Sequence, residues 1–257
     1  MKHTALNTVD TFRDEISDSI IMHIPHSSSN CPIDCMDGII SDVAFYKNLA
    51  ELTDWKTDEI FDVQGIKQIV FPYSRLICDV ERLPDEDEPQ FKNGRGFYYT
   101  HGYDGKQFKT VSARAKSFIF NKIYTSHHDT LFRETKERLE KHNTCTIIDC
   151  HSFNDTPLGV NVEHPISPDI CIGVDEFHTS KITEDYFVRC FTNLGYSVAI
   201  NNPYSGCIIP MEFYKKDKRV EGIMIEINKR LYMKPDGTYT NIEKLNKEIS
   251  DIVLNIL

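Results

Sequence analysis

The chain has 257 residues, of which 40% are hydrophobic and 26% charged, a composition typical of a globular protein. Its formal net charge of −10 argues against non-specific binding to nucleic acid and against docking on anionic membranes. No apolar run approaches the about 20 residues of a membrane span. We therefore expect one α/β domain over residues 1–257, with neither a nucleic-acid nor a membrane partner.

The N-terminal segment and the cysteines predict a cytoplasmic location. Residues 1–18 contain four acidic side chains and lack the hydrophobic region of a signal peptide. Most of the eight cysteines lie in apolar, strand-like runs, where a reduced cysteine behaves as a small hydrophobic residue. Cys31 and Cys35 have no second pair nearby, so they are weak evidence for zinc.

The first predicted strand, residues 19–24, ends at Pro25, which cannot donate a hydrogen bond to a neighbouring strand. His26 follows on the first turn of a loop. By itself it is equally compatible with a loop histidine bonded to the backbone and with a ligand. We interpret His23, inside the strand, as packed or as supporting a ligand.

A helix is predicted over residues 42–53, and one or two more helical turns over residues 54–61. Asp54 and Asp58 are four residues apart, so on a helix they share one face and repel each other unless a cation offsets them. The pair fits a solvated acidic face with Asp54 as N-cap, or a metal site that one of them completes. We favour Asp58 as the metal ligand and Asp54 as the N-cap.

Two further short strands are predicted at residues 67–71 and 74–82, the second of which carries Arg75 and Arg82. Residues 83–109 follow without clear periodicity. Loops of this length in compact domains are usually functional or disordered. The aromatic residues in this stretch favour an ordered flap.

A helix predicted over residues 112–142 leads into an apolar strand at 145–150, which is directly followed by His151. Its β-branched and small apolar residues indicate a strand that is buried on both faces. Asp149 and His151 lie at its carboxyl end, where open α/β sheets bind their ligands. The sequence therefore predicts a functional site at this edge of the sheet.

The C-terminal part continues the alternation of strands and helices. Strands are predicted at 169–173, 196–200 and 222–228, and helices over 179–194 and 240–256, the last opened by a capping box at 240–243. This alternation indicates a three-layer α/β/α sandwich with a mostly parallel or mixed sheet.

Glu226 lies in the middle of an apolar run. A glutamate on an edge strand, pointing to solvent, would also fit the alternation of side chains. Apolar residues at successive positions, however, favour burial on both faces. Burial raises the pKa of a carboxyl group and suits it to act as a general base, so we interpret Glu226 as a proton shuttle.

Zinc in hydrolases is typically held by three nitrogen or carboxylate ligands, with one position left for water. His26, one aspartate of the Asp54 and Asp58 pair, and His151 would supply these ligands from three segments of the chain. Such a zinc ion lowers the pKa of bound water and polarises a carbonyl group. The residues therefore predict a zinc site with Glu226 as the adjacent base.

Six motifs of this chain together resemble the N-formylglutamate amidohydrolase family. They are PHSS at 25–28, TDWKTDEIF at 53–61, SR at 74–75 continuing through Asp79 to Arg82, DCHS at 149–152, NPYSG at 202–206, and MIEIN at 224–228 leading to LYM at 231–233. The combination covers almost the whole chain and is more specific than any single motif.

The resemblance implies a fold similar to that of the zinc carboxypeptidases, of the phosphorylase/hydrolase-like type. It also implies cleavage of the amide bond of a small, acidic N-acyl amino acid such as N-formyl-L-glutamate. The implied zinc ligands are His26, His151 and Asp58, with Asp54 as the alternative carboxylate, and Glu226 is the implied base. The implied substrate-binding residues are Arg75, Arg82 and Asn202.

The chain departs from the family pattern in two places. Ser28 stands where relatives usually have Gly, and Asn228 and Lys229 stand where many relatives have Arg. Because of these departures, the resemblance does not determine which N-acyl amino acid is the substrate. A zinc peptidase or amidase for larger peptides or cell-wall fragments is an alternative, as is a catalytically silent metal- or ligand-binding domain.

Overall fold

The structure, a computed structural model, describes residues 17–156 and 167–256. The expectation that the N-terminus is not a signal peptide therefore falls almost entirely outside the described residues. Six strands in the described part form one sheet in the order β2-β1-β3-β6-β4-β5. They are β1 (Ile20–Ile24), β2 (Lys67–Val70), β3 (Cys145–Phe153), β4 (Ile170–Gly173), β5 (Val198–Ile200) and β6 (Val220–Asn228).

The sheet is mixed, as predicted. Strands β2, β1, β3 and β6 run parallel to one another, whereas β4 is antiparallel to β6 and parallel to β5. Strand β6 pairs with β3 on one side and with β4 on the other. Glu226 is therefore on an interior strand, which excludes the edge-strand interpretation.

Helices cover both faces of the sheet. The described helices are α1 (Asp42–Leu52), α2 (Thr57–Ile60), α3 (Ala113–Phe118), α4 (Thr125–His142), α5 (Lys181–Asn193) and α6 (Ile242–Val253), with a π-helical turn over Ile119–Tyr124 between α3 and α4. One face of the sheet packs against α5 and α6, and the other packs against α4. The result is the predicted three-layer sandwich. Within the described ranges, no helix combines the length and apolarity that a membrane span requires.

The predicted strand over residues 74–82 is wrong. The segment is a series of turns, in which the N–H groups of Ile77 and Cys78 donate to the carbonyl oxygen of Ser74. The N–H group of Asp79 donates to the carbonyl oxygen of Phe97, at 2.9 Å. The chain therefore leaves the sheet here and places its polar side chains over the carboxyl ends of the strands.

The stretch of residues 83–109, which we call the flap, is ordered. Phe97, Tyr99 and Phe108 are buried within it. The buried carboxylate of Glu88 accepts hydrogen bonds from the N–H groups of Leu83 and Gln90. The prediction of an ordered flap is confirmed.

Two predicted helix faces are only partly right. The apolar spacing of the two helices predicts that Val43 on α1 and Ile182 on α5 are buried, but their side chains are 81% and 79% exposed. Phe45 and Phe187 are buried instead, so each helix is rotated from the predicted face. The capping box is also wrong, because Asn241 occupies the N-cap of α6 without a side-chain hydrogen bond. All eight cysteines are free thiols, as predicted.

Candidate metal centre and active site

The site lies at the carboxyl ends of β1, β3 and β6. Register places His23 beside Asp149, and His151 beside Glu226. Side chains two residues apart on a strand point to the same face, so Asp149 and His151 point together. The four side chains therefore lie on one face of the sheet.

Three buried side chains converge at these strand ends: His26, Asp54 and His151. The Nδ1 atoms of His26 and His151 are 3.2 Å apart. The Oδ2 atom of Asp54 lies 3.2 Å from Nδ1 of His151 and 3.7 Å from Nδ1 of His26. Ligand atoms at about 2.1 Å from a tetrahedral zinc ion are about 3.4 Å from one another. The three atoms therefore have the spacing of ligands to one zinc ion.

Carboxylates hold the outer nitrogen of each histidine ring. The Nε2 atom of His26 lies 3.0 Å from Oδ1 of Asp79. The Nε2 atom of His151 lies 3.1 Å from Oε1 of Glu81 and 3.2 Å from Oδ1 of Asp149. A carboxylate that accepts from the outer nitrogen fixes the ring and leaves the inner nitrogen for a metal. In this arrangement the Nδ1 atoms of both histidines face Asp54 and are available to a metal.

Two other sets of side chains are close enough to hold an ion. One combines His26 and His151 with Glu81, and the other combines His23, Glu81 and Asp149. We favour the set that contains Asp54, because the outer ring nitrogens are already bonded to carboxylates. Glu81 then orients His151 from the outside, and the hydrogen bond of 2.8 Å between His23 and Asp149 supports Asp149 in turn.

The structure brings Asp54 to the histidines and leaves Asp58 exposed to solvent on α2. Helix α2 begins only at Thr57, after Lys56 with a positive φ of 66°. The two aspartates therefore do not share a helix face, contrary to the expectation from their spacing. The N–H group of Asp54 donates to the carbonyl oxygen of His26, which fixes it beside the ring. Asp54, and not the expected Asp58, is therefore the aspartate that lies beside the two histidines.

The centre is rich in negative charge. Burial opposes ionisation of Asp54, but hydrogen bonds with His151 and His26 outweigh it and hold the pKa of Asp54 well below its usual value. Burial also disfavours the charged form of His151, yet the carboxylates of Glu81 and Asp149 raise its pKa well above the ordinary value. The same carboxylates stabilise the positive charge of the protonated histidines, and they would equally stabilise a metal cation bound to the neutral rings.

Glu226 faces the same site from β6. Its Oε2 atom is buried without a hydrogen-bond partner among the described residues, and its side chain lines the cavity. Burial raises the pKa of Glu226 to about 8, whereas the charge of His151 lowers it. The effect of burial is therefore larger than that of the charge of His151.

The cavity in front of these residues has a volume of about 520 Å³, within the range of small-molecule sites. The flap contributes Gln90, Arg95 and Tyr99 to its wall, and residues 203–208 form another part. The flap therefore borders the site, as a covering element should.

The predicted substrate-binding residues have different surroundings. Arg75 donates from two nitrogens to Asp79, at 2.8 and 3.2 Å, so its charge is already neutralised. Arg75 and Arg82 both line the cavity. Arg82 lies 3.7 Å from the carboxylates of Asp79 and Glu88, but its buried Nε atom has no hydrogen-bond partner in the described part of the chain. Asn202 is not among the residues that line the cavity, although Pro203 is. Arg82 is thus the better placed of the three.

Sequence reasoning missed two groups of residues at the site. Asp79 and Glu81 support the histidines, and their signal was a pair of acids two residues apart in an otherwise apolar segment. Lys229 lines the cavity, and its signal was a lysine directly after a strand with a polar end. Both signals are common in proteins without an active site.

A histidine and carboxylate centre beside a buried, unpaired glutamate, at the carboxyl edge of a mixed α/β sheet, has the chemistry of a hydrolase. The chain belongs to the N-formylglutamate amidohydrolase family, whose model matches residues 18–233. The protein is therefore an enzyme of the hydrolase class. A sequence search of curated proteins gives no significant match.

Two solved structures share the fold. N-formylglutamate amidohydrolase from Ralstonia eutropha JMP134 superposes with a TM-score of 0.77, at 18% identity, over 92% of this chain and 91% of that chain. A gene product from Agrobacterium tumefaciens gives a TM-score of 0.62, at 16% identity, over 91% of this chain and 90% of that chain. At these identities the likeness shows the fold alone.

Proposed function

We propose that the protein is a zinc-dependent amidohydrolase that releases formate, or another small acyl group, from an acidic N-acyl amino acid such as N-formyl-L-glutamate. The observation that carries the proposal is the convergence of His26, Asp54 and His151 on one point beside the unpaired carboxyl group of Glu226. Membership of the amidohydrolase family supports the reaction class. The free cysteines support a reducing compartment such as the cytoplasm.

The donor set fits zinc. Two imidazole nitrogens and one carboxylate oxygen are a typical set for a catalytic zinc site that keeps a fourth position open. Bound there, zinc would supply a Lewis acid for the scissile carbonyl group and would make water more acidic. The surrounding carboxylates of Asp79, Glu81 and Asp149 would keep both histidines in place.

The reaction adds water across the amide bond. A C–O bond forms at the carbonyl carbon, the C–N bond breaks, and the departing nitrogen gains a proton. Glu226 takes the proton from the attacking water at Oε2 and passes it to that nitrogen. Its burial serves this role, because a carboxyl group with a raised pKa is a stronger base. The positive charge of a nearby cation would bring its pKa down from the metal-free value.

Substrate binding falls first to Arg82, whose guanidinium group pairs well with a carboxylate. Arg75 is already paired with the carboxylate of Asp79, so we assign it to the scaffold. The volume of about 520 Å³ favours a small substrate over a peptide or a cell-wall fragment. The flap on one side of the cavity favours the same choice.

Formate release from N-formyl-L-glutamate by the zinc-loaded protein tests the proposal. We expect turnover, its loss after zinc is removed with a chelator, and its recovery on adding zinc back. A formylated tripeptide of the same net charge is the comparison substrate. Faster turnover of the tripeptide would favour the peptidase alternative, and stoichiometric zinc without turnover of either substrate would favour the silent domain.

A further inference from the structure

Lys229 is a buried lysine that lines the active-site cavity, with only 4% of its surface exposed. It follows β6 directly, three residues after Glu226. The Oδ1 atom of Asn228 accepts a hydrogen bond from the N–H group of Arg230, and the carbonyl oxygen of Lys229 accepts one from Met233. The backbone that carries the lysine is therefore held on both sides.

The ammonium group of Lys229 is only partly used. Its Nζ atom donates to the carbonyl oxygen of Glu51, at 3.2 Å. Within residues 17–156 and 167–256 it forms no ion pair with a carboxylate. An ammonium group has three donors, so two are left. A buried charge without an anionic partner is costly, which is why such charges are usually paired.

An anion that balances the charge of Lys229 would have to bind in the cavity, because the described residues around the lysine do not pair with it. Burial lowers the pKa of Lys229, and the charges of Asp54, Glu226 and Glu51 oppose this effect. The side chain of Glu51 is engaged elsewhere, accepting a hydrogen bond from Asn154 at 3.1 Å. The cation thus sits in the cavity wall with donors to spare.

Lys109 shows how a buried lysine looks when its role is structural. It is 1% exposed, and its Nζ atom donates to the carbonyl oxygen of Leu76 at 2.7 Å. It does not line the cavity. The two lysines share burial and a backbone acceptor, and they differ in access to the site. Lys109 is therefore a matched control.

Four cationic side chains line the cavity, namely Arg75, Arg82, Arg95 and Lys229. Arg75 is paired with Asp79, and Arg95 donates to the side chain of Gln90. An acidic N-acyl amino acid carries two carboxylates, one on the α-carbon and one on the side chain. We propose that Lys229 binds one of these two carboxylates and so determines the preference for a dicarboxylic substrate. This inference rests on the proposed function and adds a second anchor to Arg82.

The test is Lys229→Met, which keeps the length of the side chain and removes its charge. We would measure kcat and KM for N-formyl-L-glutamate, for N-formyl-L-glutamine, and for the α-amide of N-formyl-L-glutamate. Losing a charged hydrogen bond should lower kcat/KM for the diacid by about 10- to 100-fold, mainly through KM. The substrate that lacks the recognised carboxylate should lose much less, which identifies that carboxylate. Lys109→Met should leave the ratios between substrates unchanged.

A fall by the same factor for all three substrates would overturn the inference, because Lys229 would then serve the fold or the reaction in general. The proposed function would survive that result. If the Met variant does not fold, Lys229→Gln replaces it, since its amide group can still donate to Glu51.

Absence of turnover by the wild type on any of the three substrates would count against the proposed function alone. Calorimetry with L-glutamate and L-glutamine, on the zinc-loaded wild type and the Met variant, then decides the inference separately. Binding of L-glutamate that is at least about tenfold weaker in the variant supports the role of Lys229. Equal affinity of the two proteins for L-glutamate overturns it.

Discussion

Replacing Asp54 by Asn should remove most of the zinc affinity, because it removes a ligand charge while keeping the shape of the side chain. The Oδ2 atom of Asp54 lies 3.2 and 3.7 Å from the two histidine Nδ1 atoms and accepts a hydrogen bond from the N–H group of Ser152. Losing an outer partner of a ligand typically costs about 10- to 100-fold in metal affinity. Losing the ligand itself should cost at least about 100-fold.

The assay is competition with a chromophoric chelator, together with elemental analysis after dialysis. Asp58→Asn is the matched control, since Asp58 is exposed on α2 and only four residues away. We expect wild-type zinc affinity in the control and a change in unfolding free energy within about 0.5 kcal/mol. Wild-type affinity in Asp54→Asn, or loss of zinc in Asp58→Asn, would refute the ligand assignment.

Three further predictions concern charged side chains. Arg82→Gln should raise KM for N-formyl-L-glutamate much more than for a neutral amide of it, whereas equal effects would place Arg82 in the scaffold. Arg75→Gln breaks a buried pair with Asp79 and should cost about 3–5 kcal/mol in chemical denaturation; a cost below about 1 kcal/mol would contradict this role. Burial lowers the pKa of Lys109 from 10.5 to about 8. Below pH 8 the charged side chain therefore reduces the free energy of unfolding by about 3 kcal/mol, and this penalty disappears as the pH rises to 10.5. Lys109→Met should therefore gain stability over the wild type near pH 7 and lose that advantage near pH 10, and a gain independent of pH would argue against the charge as its cause.

The sequence predicts the parts of the site that strands position. His151 and Glu226 lie at or near the carboxyl ends of apolar runs, and parallel strands bring those ends together. His26 follows the first strand for the same reason. Strand periodicity is a local property of the sequence, which is why the mixed sheet and its carboxyl edge could be predicted.

The remaining parts depend on contacts between distant residues or on single backbone angles. The segment of residues 74–82 was expected to be a strand, but Asp79 bonds to the backbone of Phe97 in the flap, a contact that no local pattern reveals. The choice between Asp54 and Asp58 depends on the positive φ of Lys56, which delays the start of α2. Hydrophobic spacing does not encode either feature.

The kcat of Glu226→Gln on N-formyl-L-glutamate, measured on protein whose zinc content is known, tests the central claim most directly. Gln keeps the size of the side chain and removes the base, and none of the proposed zinc ligands is changed. The account predicts about one zinc ion per chain, as in the wild type, and a kcat that falls by about 10²- to 10⁴-fold. A kcat near that of the wild type, with zinc retained, would contradict the assignment of Glu226 as the proton shuttle.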